Sequence, residues 1–125
     1  MNPYASPQAY RESSVLTASP EQLVVMLYDG AGRFLRQAEA ALGEGALGHA
    51  HDRLNRAEAI IDELLATLDM DQGQVAERLQ AIYVYCKRCL TEVRRERDVA
   101  KIRLVARLMG ELREAWAQVA AGTPA

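Results

Sequence analysis

The chain has 125 residues, of which 50% are hydrophobic and 26% are charged, with a net charge of -2 at pH 7. This length predicts one domain with a single core, and the composition excludes both a disordered chain and a membrane-embedded one. The small negative charge offers no electrostatic attraction for nucleic acid. No apolar run approaches the roughly 20 residues that span a bilayer. Residues 1–14 contain no signal-type apolar stretch, so we expect a cytoplasmic protein without membrane insertion.

The first helix is predicted from its start signals. Residues 1–18 carry prolines and small polar residues, and we expect an extended or weakly helical arm. Ser19 then suits an N-cap, Pro20 the first helical position, and Gln22 the third residue after the cap, as a capping box requires. The pattern predicts a helix over residues 20–42.

This helix begins with six consecutive apolar residues, 23–28. At about 100° per residue they reach all the way round a helix. A solvated surface helix would not have this pattern, so part of the run should face the core and part should face a partner.

Three further helices are predicted by apolar residues at helical spacing, over residues 47–68, 74–96 and 98–120, the last with Asp98 as N-cap. Residues 122–125 are predicted to form a flexible tail. Short connections favour antiparallel neighbours, and no segment alternates as a strand does. The sequence therefore predicts an all-α protein, with an antiparallel up-down four-helix bundle over residues 19–121.

Apolar residues exceed what four core stripes require. The predicted core faces include Leu23 in the first helix, Val75, Cys86 and Cys89 in the third, and Val119 in the fourth. Beside these faces lies a shoulder of further apolar residues: Val24, Tyr28, Leu35, Ile60, Ala81, Val84, Tyr85 and Leu104. Either wide bundle faces and the arm absorb them, or they form a groove for an amphipathic helix or an extended chain.

The sequence contains only weak motifs for catalysis or metal binding. Cys86 and Cys89 spell C-x-x-C, but the βαβ context of a redox motif and the two further ligands of a zinc site are absent, so we predict buried, reduced thiols. His49 and His51 lie off the apolar stripe, which leaves a phosphotransfer domain as a weak alternative. A basic cluster at Arg94–Arg103 is interpreted as a solvated turn between helices. We predict no enzyme activity, no metal and no cofactor.

Three stretches resemble the flagellin-specific export chaperones, the FliS family. They are TASPEQLVVMLYDGA at residues 17–31, AEAIIDELLATLDMDQG at residues 57–73, and AIYVYCKRCL followed by LMGELREAW in the last two helices. The likeness covers nearly the whole chain. It departs from the family pattern at two places. Gln74 follows Gly73, and Cys89 replaces the second arginine of an Arg-Arg-Leu motif.

The resemblance implies a cytosolic chaperone that binds the disordered C-terminal region of flagellin, prevents premature polymerisation and delivers it to the flagellar type III export gate. It also implies an anti-sigma factor as a possible second client, and it implicates Tyr10 of the arm in client and gate contacts. From the helical wheel, the expected client contacts are Val24, Tyr28, Ile60, Val84, Tyr85 and Leu104. The alternative is an obligate homo-oligomeric structural bundle with no client.

Overall fold

Four long helices make up most of residues 17–122, the part of the chain described by a computed structural model. They are α1 (Pro20–Gly43), α2 (Leu47–Ala66), α3 (Gln74–Glu96) and α4 (Val99–Ala120), and a turn of 3-10 helix at Met70–Gln72 precedes α3. No strand occurs within residues 17–122. The predicted all-α four-helix bundle is confirmed, and no helix in this range is long and apolar enough to cross a bilayer.

The start of α1 has the predicted capping box. The backbone N–H of Gln22 donates to the Ser19 hydroxyl over 3.2 Å, and the backbone N–H of Ser19 donates to the Gln22 side-chain oxygen over 2.8 Å. These two bonds satisfy donors that a helix N-terminus otherwise leaves unpaired. Asp98 caps α4 as predicted, because its carboxylate accepts from the backbone N–H of Ala100 over 3.0 Å.

Tight turns separate the helices. Gly73 enters α3 with φ of 72°, a conformation that a residue without a Cβ adopts at little cost. Arg97 ends α3 in the left-handed region with φ of 56°, and its N–H returns to the Val93 carbonyl over 2.7 Å. The chain therefore reverses within two residues between α3 and α4.

The core forms around α1, which packs most extensively against α2 and α4, while α3 has fewer close neighbours. Aliphatic residues, two cysteines and two tyrosines fill it. The largest fully buried side chains are Tyr28, Tyr83, Leu35, Leu54, Ile61, Leu64, Leu90, Ile102 and Met109.

The shoulder prediction is wrong for two residues of α1. Tyr28 is 2% exposed and Leu35 is fully buried. The reason is that α1 contacts helices on both sides, so the buried arc is wider than the single stripe drawn from the wheel.

The core prediction is wrong for three residues that lie in terminal turns of the helices. Leu23 near the start of α1, Val75 at the start of α3 and Val119 at the end of α4 are 38%, 65% and 45% exposed. In an antiparallel bundle these termini meet at one end. The apolar stripes continue to that end, but neighbouring helices do not cover them there.

Ion pairs connect the helix surfaces. Arg94 of α3 pairs with Glu58 of α2, Lys101 of α4 with Glu92 of α3, and Arg103 of α4 with Glu39 of α1. The predicted basic cluster is thus largely neutralised by nearby carboxylates. Pairs of this partly exposed kind contribute from about 0 to 1 kcal/mol each.

Candidate functional site

An apolar groove of about 410 Å³ opens at the end of the bundle where α1 and α3 begin and where α2 and α4 end. Its lining residues come from α1, α3 and α4 and from the connection between α2 and α3. The apolar ones are Pro20, Leu23, Val24, Leu27, Leu68, Val75, Ala76, Leu79, Tyr83 and Trp116. A concave apolar surface of this size suits side chains of a partner peptide.

Two aromatic residues of the groove adjoin a buried hydroxyl pair. Tyr83 of α3 and Trp116 of α4 line the groove, and the Tyr83 hydroxyl hydrogen-bonds with the Tyr28 hydroxyl inside the core. The two tyrosine rings lie 6.5 Å apart at 41°. Burial and the bond to Tyr83 raise the pKa of Tyr28, so both hydroxyls stay neutral at physiological pH. This contact holds α3 against α1 beneath the groove.

The polar residues on the groove rim include two carboxylates. Glu21 comes from the first turn of α1, and Asp69 caps the 3-10 turn by accepting from the backbone N–H of Asp71 over 3.0 Å. Among residues 17–122, those that line the groove include no lysine, arginine or histidine. The arrangement can hold an apolar segment by contact and burial.

A second cleft, of about 590 Å³, lies on the other side of the first turns of α1. Val25 and Met26 face it from α1, and Ala117, Ala120 and Ala121 face it from the end of α4. The run at residues 23–28 therefore divides between the core and the two clefts. Tyr28 enters the core, while the other five residues line one cleft or the other.

The residues predicted as client contacts do not form one surface. Val24 lines the groove and is partly buried. Val84 and Tyr85 are 46% and 44% exposed on the outer face of α3. Ile60 and Leu104 are partly buried against the core. Tyr28 is inside the core, and Tyr10 lies outside the described residues.

Most of the groove was not predicted. Leu23 and Val75 continue the predicted core stripes, and Leu68, Leu79 and Trp116 also occur at the helical spacing of apolar stripes. A signal was present, because all of these residues lie in or next to helix turns at one end of an antiparallel bundle. The sequence does not show where neighbouring helices stop covering each stripe.

The cysteines and histidines have the expected surroundings. Cys86 and Cys89 are buried free thiols, and burial raises the pKa of Cys86 to about 12. His49 and His51 are exposed at the start of α2. Among residues 17–122, no three histidine, cysteine or acidic side chains are grouped so as to hold a metal ion.

The sequence model of the family described as "Flagellar protein FliS" matches residues 2–123. The chain belongs to the FliS family. It is 37% identical over 110 residues to the flagellar secretion chaperone FliS of Salmonella typhimurium, which covers 86% of this chain and 82% of that relative. It is 32% identical over 117 residues to the protein of the same name from Bacillus subtilis, covering 94% and 85% of the two chains.

A third relative, from Vibrio cholerae, is 33% identical over 117 residues and covers 90% of the chain and 86% of its own length. It carries the same name, flagellar secretion chaperone FliS. The resemblance stated from the motifs is therefore confirmed. FliS is a family of chaperones and not of enzymes.

Proposed function

We propose that this FliS chain is a cytoplasmic export chaperone that binds the disordered C-terminal region of flagellin, prevents its premature polymerisation and delivers it to the flagellar type III export apparatus. The observation that carries this proposal is the apolar groove at one end of the bundle. Family membership supports a client of the flagellar secretion system. The proposed partners are flagellin, a component of the export gate and, as a second client, an anti-sigma factor.

The groove supports reversible binding. A flagellin terminus that is later buried in a filament must carry apolar stripes, and these would associate with one another if left free. Half-exposed residues such as Leu23 and Val75 offer such a stripe a temporary apolar surface. Ordering a disordered client costs conformational entropy, which keeps affinity moderate and allows release.

The direct test is titration calorimetry of the full chain against the C-terminal segment of flagellin from the same organism. We expect one-to-one binding, a negative heat-capacity change from apolar burial, and a gain of helix in the peptide by circular dichroism. No binding by a folded monomer would contradict the proposed client.

Three substitutions to glutamate test the groove and the outer face of α3 as client-binding surfaces, one substitution for each surface and one as a control. Leu23→Glu places a carboxylate in the groove, Tyr85→Glu places one among the contacts predicted from the wheel, and Thr91→Glu is the control on exposed α3 surface. We expect Leu23→Glu and Tyr85→Glu each to weaken flagellin binding at least about tenfold at unchanged helicity, because burying an unpaired charge is costly. Thr91→Glu should bind as the parent does.

The calorimetric result locates the site. Unchanged binding by Leu23→Glu would contradict the groove, and unchanged binding by Tyr85→Glu would remove the outer face of α3 from the client surface. Equal weakening by Thr91→Glu would show that added negative charge alone reduces binding.

The homo-oligomeric alternative is favoured by the same exposed apolar end, where Met70 and Val75 are 43% and 65% exposed. A second copy of the chain could cover that surface. Sedimentation across a concentration series distinguishes the two functions, because a chaperone with a free groove stays monomeric while an obligate oligomer does not dissociate.

A further inference from the structure

Three arginine side chains surround one phenylalanine ring on the surface between α1 and α2, and none of these four residues lines the groove. The guanidinium carbons of Arg53, Arg33 and Arg56 lie 5.4, 5.8 and 6.0 Å from the centroid of the Phe34 ring. All three distances are within the range of cation–π attraction. We call these four residues the Phe34 arginine cluster.

The positive charge of this cluster is only partly neutralised. Asp52 pairs with Arg53 over 2.6 Å and with Arg56 over 3.2 Å. Within residues 17–122 no carboxylate lies within ion-pair distance of Arg33. Among the described residues, one carboxylate therefore pairs with two of the three guanidinium groups and leaves the third unpaired. By contrast, Arg94, Lys101 and Arg103 each have a carboxylate on another helix.

One of the three guanidinium groups is also held in position. Arg53 is fixed by the ring, by Asp52 and by donation from its Nη1 to the Gln37 side-chain oxygen over 3.2 Å. Its Nε is buried without a hydrogen-bond partner in the described structure. Packing on an aromatic face restricts a guanidinium group while leaving other N–H groups free to bind oxygen acceptors. Less side-chain entropy then remains to be lost when an anion binds.

We propose that the Phe34 arginine cluster binds an acidic segment of a partner protein through carboxylate-to-guanidinium hydrogen bonds. The alkyl stems of long side chains would suffice to cover a half-buried ring. Three guanidinium groups around it repel one another and have, in the described part of the chain, only Asp52 as a paired carboxylate, so a further anion is favoured there. Arginine forks match carboxylates in geometry as well as in charge. This site is separate from the groove and does not depend on flagellin as the client.

A short peptide fits the cluster better than an extended polyanion. The patch is confined to three cations around one ring, and the chain as a whole has a net charge of -2. A nucleic acid or an anionic membrane would extend beyond the cluster onto surface that is negative on average.

The test is titration of the full chain with a hexaglutamate peptide, followed by amide chemical shifts and calorimetry. At about 20 mM salt we expect saturable binding with the largest shifts at Phe34 and in the first half of α2, and the affinity should fall strongly at about 0.5 M salt. The double variant Arg33→Gln/Arg56→Gln should bind about tenfold more weakly.

Two further variants distinguish an anion-binding role of the arginines from simple shielding of the Phe34 ring from solvent. Phe34→Leu keeps an apolar side chain but removes the aromatic face, and it should weaken peptide binding several-fold at unchanged helicity. The matched control is Arg88→Gln/Arg107→Gln, which removes the same charge from exposed positions on α3 and α4. The control should stay within about twofold of the parent, since distant exposed charges are screened. Arg33→Gln alone serves if the first double variant does not fold.

Several results would overturn the proposal. They are absence of saturable binding, shifts centred away from Phe34, or equal weakening in the control. Tighter binding of single-stranded RNA or of anionic lipid vesicles through the same arginines would assign the cluster to another class of ligand.

Discussion

The hydroxyls of Tyr28 and Tyr83 hydrogen-bond inside an otherwise apolar core, and they join α1 to α3 beneath the groove. A buried hydroxyl without a partner costs more than its hydrogen bond contributes when made. The contributions of these two residues to stability are therefore coupled, because each hydroxyl supplies a hydrogen-bond partner for the other in the core.

We expect Tyr28→Phe to lower the free energy of unfolding by about 1–3 kcal/mol, because it leaves the buried Tyr83 hydroxyl unpaired. Tyr83→Phe should cost less, since the Trp116 side chain also interacts with the Tyr28 hydroxyl. The double variant should cost less than the sum of the two, since it removes both hydroxyls. Urea unfolding at neutral pH measures all three. Additive losses would show that the hydroxyls do not depend on one another.

Cys86 makes stability depend on pH in alkaline solution. Its pKa is raised by burial to about 12, whereas an unfolded cysteine ionises at about 8.5. Between about pH 9 and 10 the unfolded chain has lost this proton and the folded chain has kept it, so the free energy of unfolding falls as pH rises. Cys86→Ala should flatten this slope even though it lowers stability throughout. An unchanged slope across that range would contradict a buried neutral thiol.

At the scale of elements, α1 is the organising helix of the bundle. It packs against both α2 and α4, and the two clefts lie on either side of its first turns. Gly30 marks a close approach of α1 to α2, because a Cβ added there would lie 3.1 Å from Cδ1 of Ile60. A Cβ at Gly110 of α4 would meet nothing within 4 Å.

The two glycines provide a matched pair. Gly110→Ala should raise the free energy of unfolding by about 0.5–1 kcal/mol, the helix-propensity difference between glycine and alanine. Gly30→Ala should gain less or lose stability, because Ile60 must move. Thermal unfolding of both variants compares them directly. Equal gains would mean that the α1–α2 contact adapts without cost.

At the scale of the whole molecule, the apolar end of the bundle is also the end at which the N-terminal arm enters α1. We predict that the arm covers part of the groove when no client is bound. Deleting residues 1–14 should then tighten binding of the flagellin segment, because the arm no longer competes for the surface.

Tyr10→Ala in the full chain is the companion to this deletion. Unchanged or weaker binding by the deletion would count against a cover. Loss of binding by both the deletion and Tyr10→Ala would instead indicate that Tyr10 contacts the client. Calorimetry with the same flagellin segment measures both.

Prediction from the sequence succeeded where local chemistry decides the structure. The capping box at Ser19, the N-cap at Asp98 and the buried cysteine pair all follow from short patterns. The end of α2 was less accurate: the helix stops at Ala66, two residues before the predicted end, because the chain turns towards the 3-10 segment.

The candidate site was predicted only in part, since Val24 is the one expected contact within residues 17–122 that lines the groove. Helical spacing identifies the apolar face of each helix but not the length of that face that a neighbour covers. Leu23, Val75 and Val119 continue the core stripes and are nonetheless exposed.

By itself, the sequence determined where the four helices begin, the four-helix class and the FliS family, because capping groups, apolar periodicity and extended motifs act through residues close in the chain. The tertiary structure decided which apolar side chains remain exposed to solvent. Burial depends on where the ends of four helices lie relative to one another, and that is set by packing between residues far apart in sequence. The groove and the Phe34 arginine cluster both arise in this way.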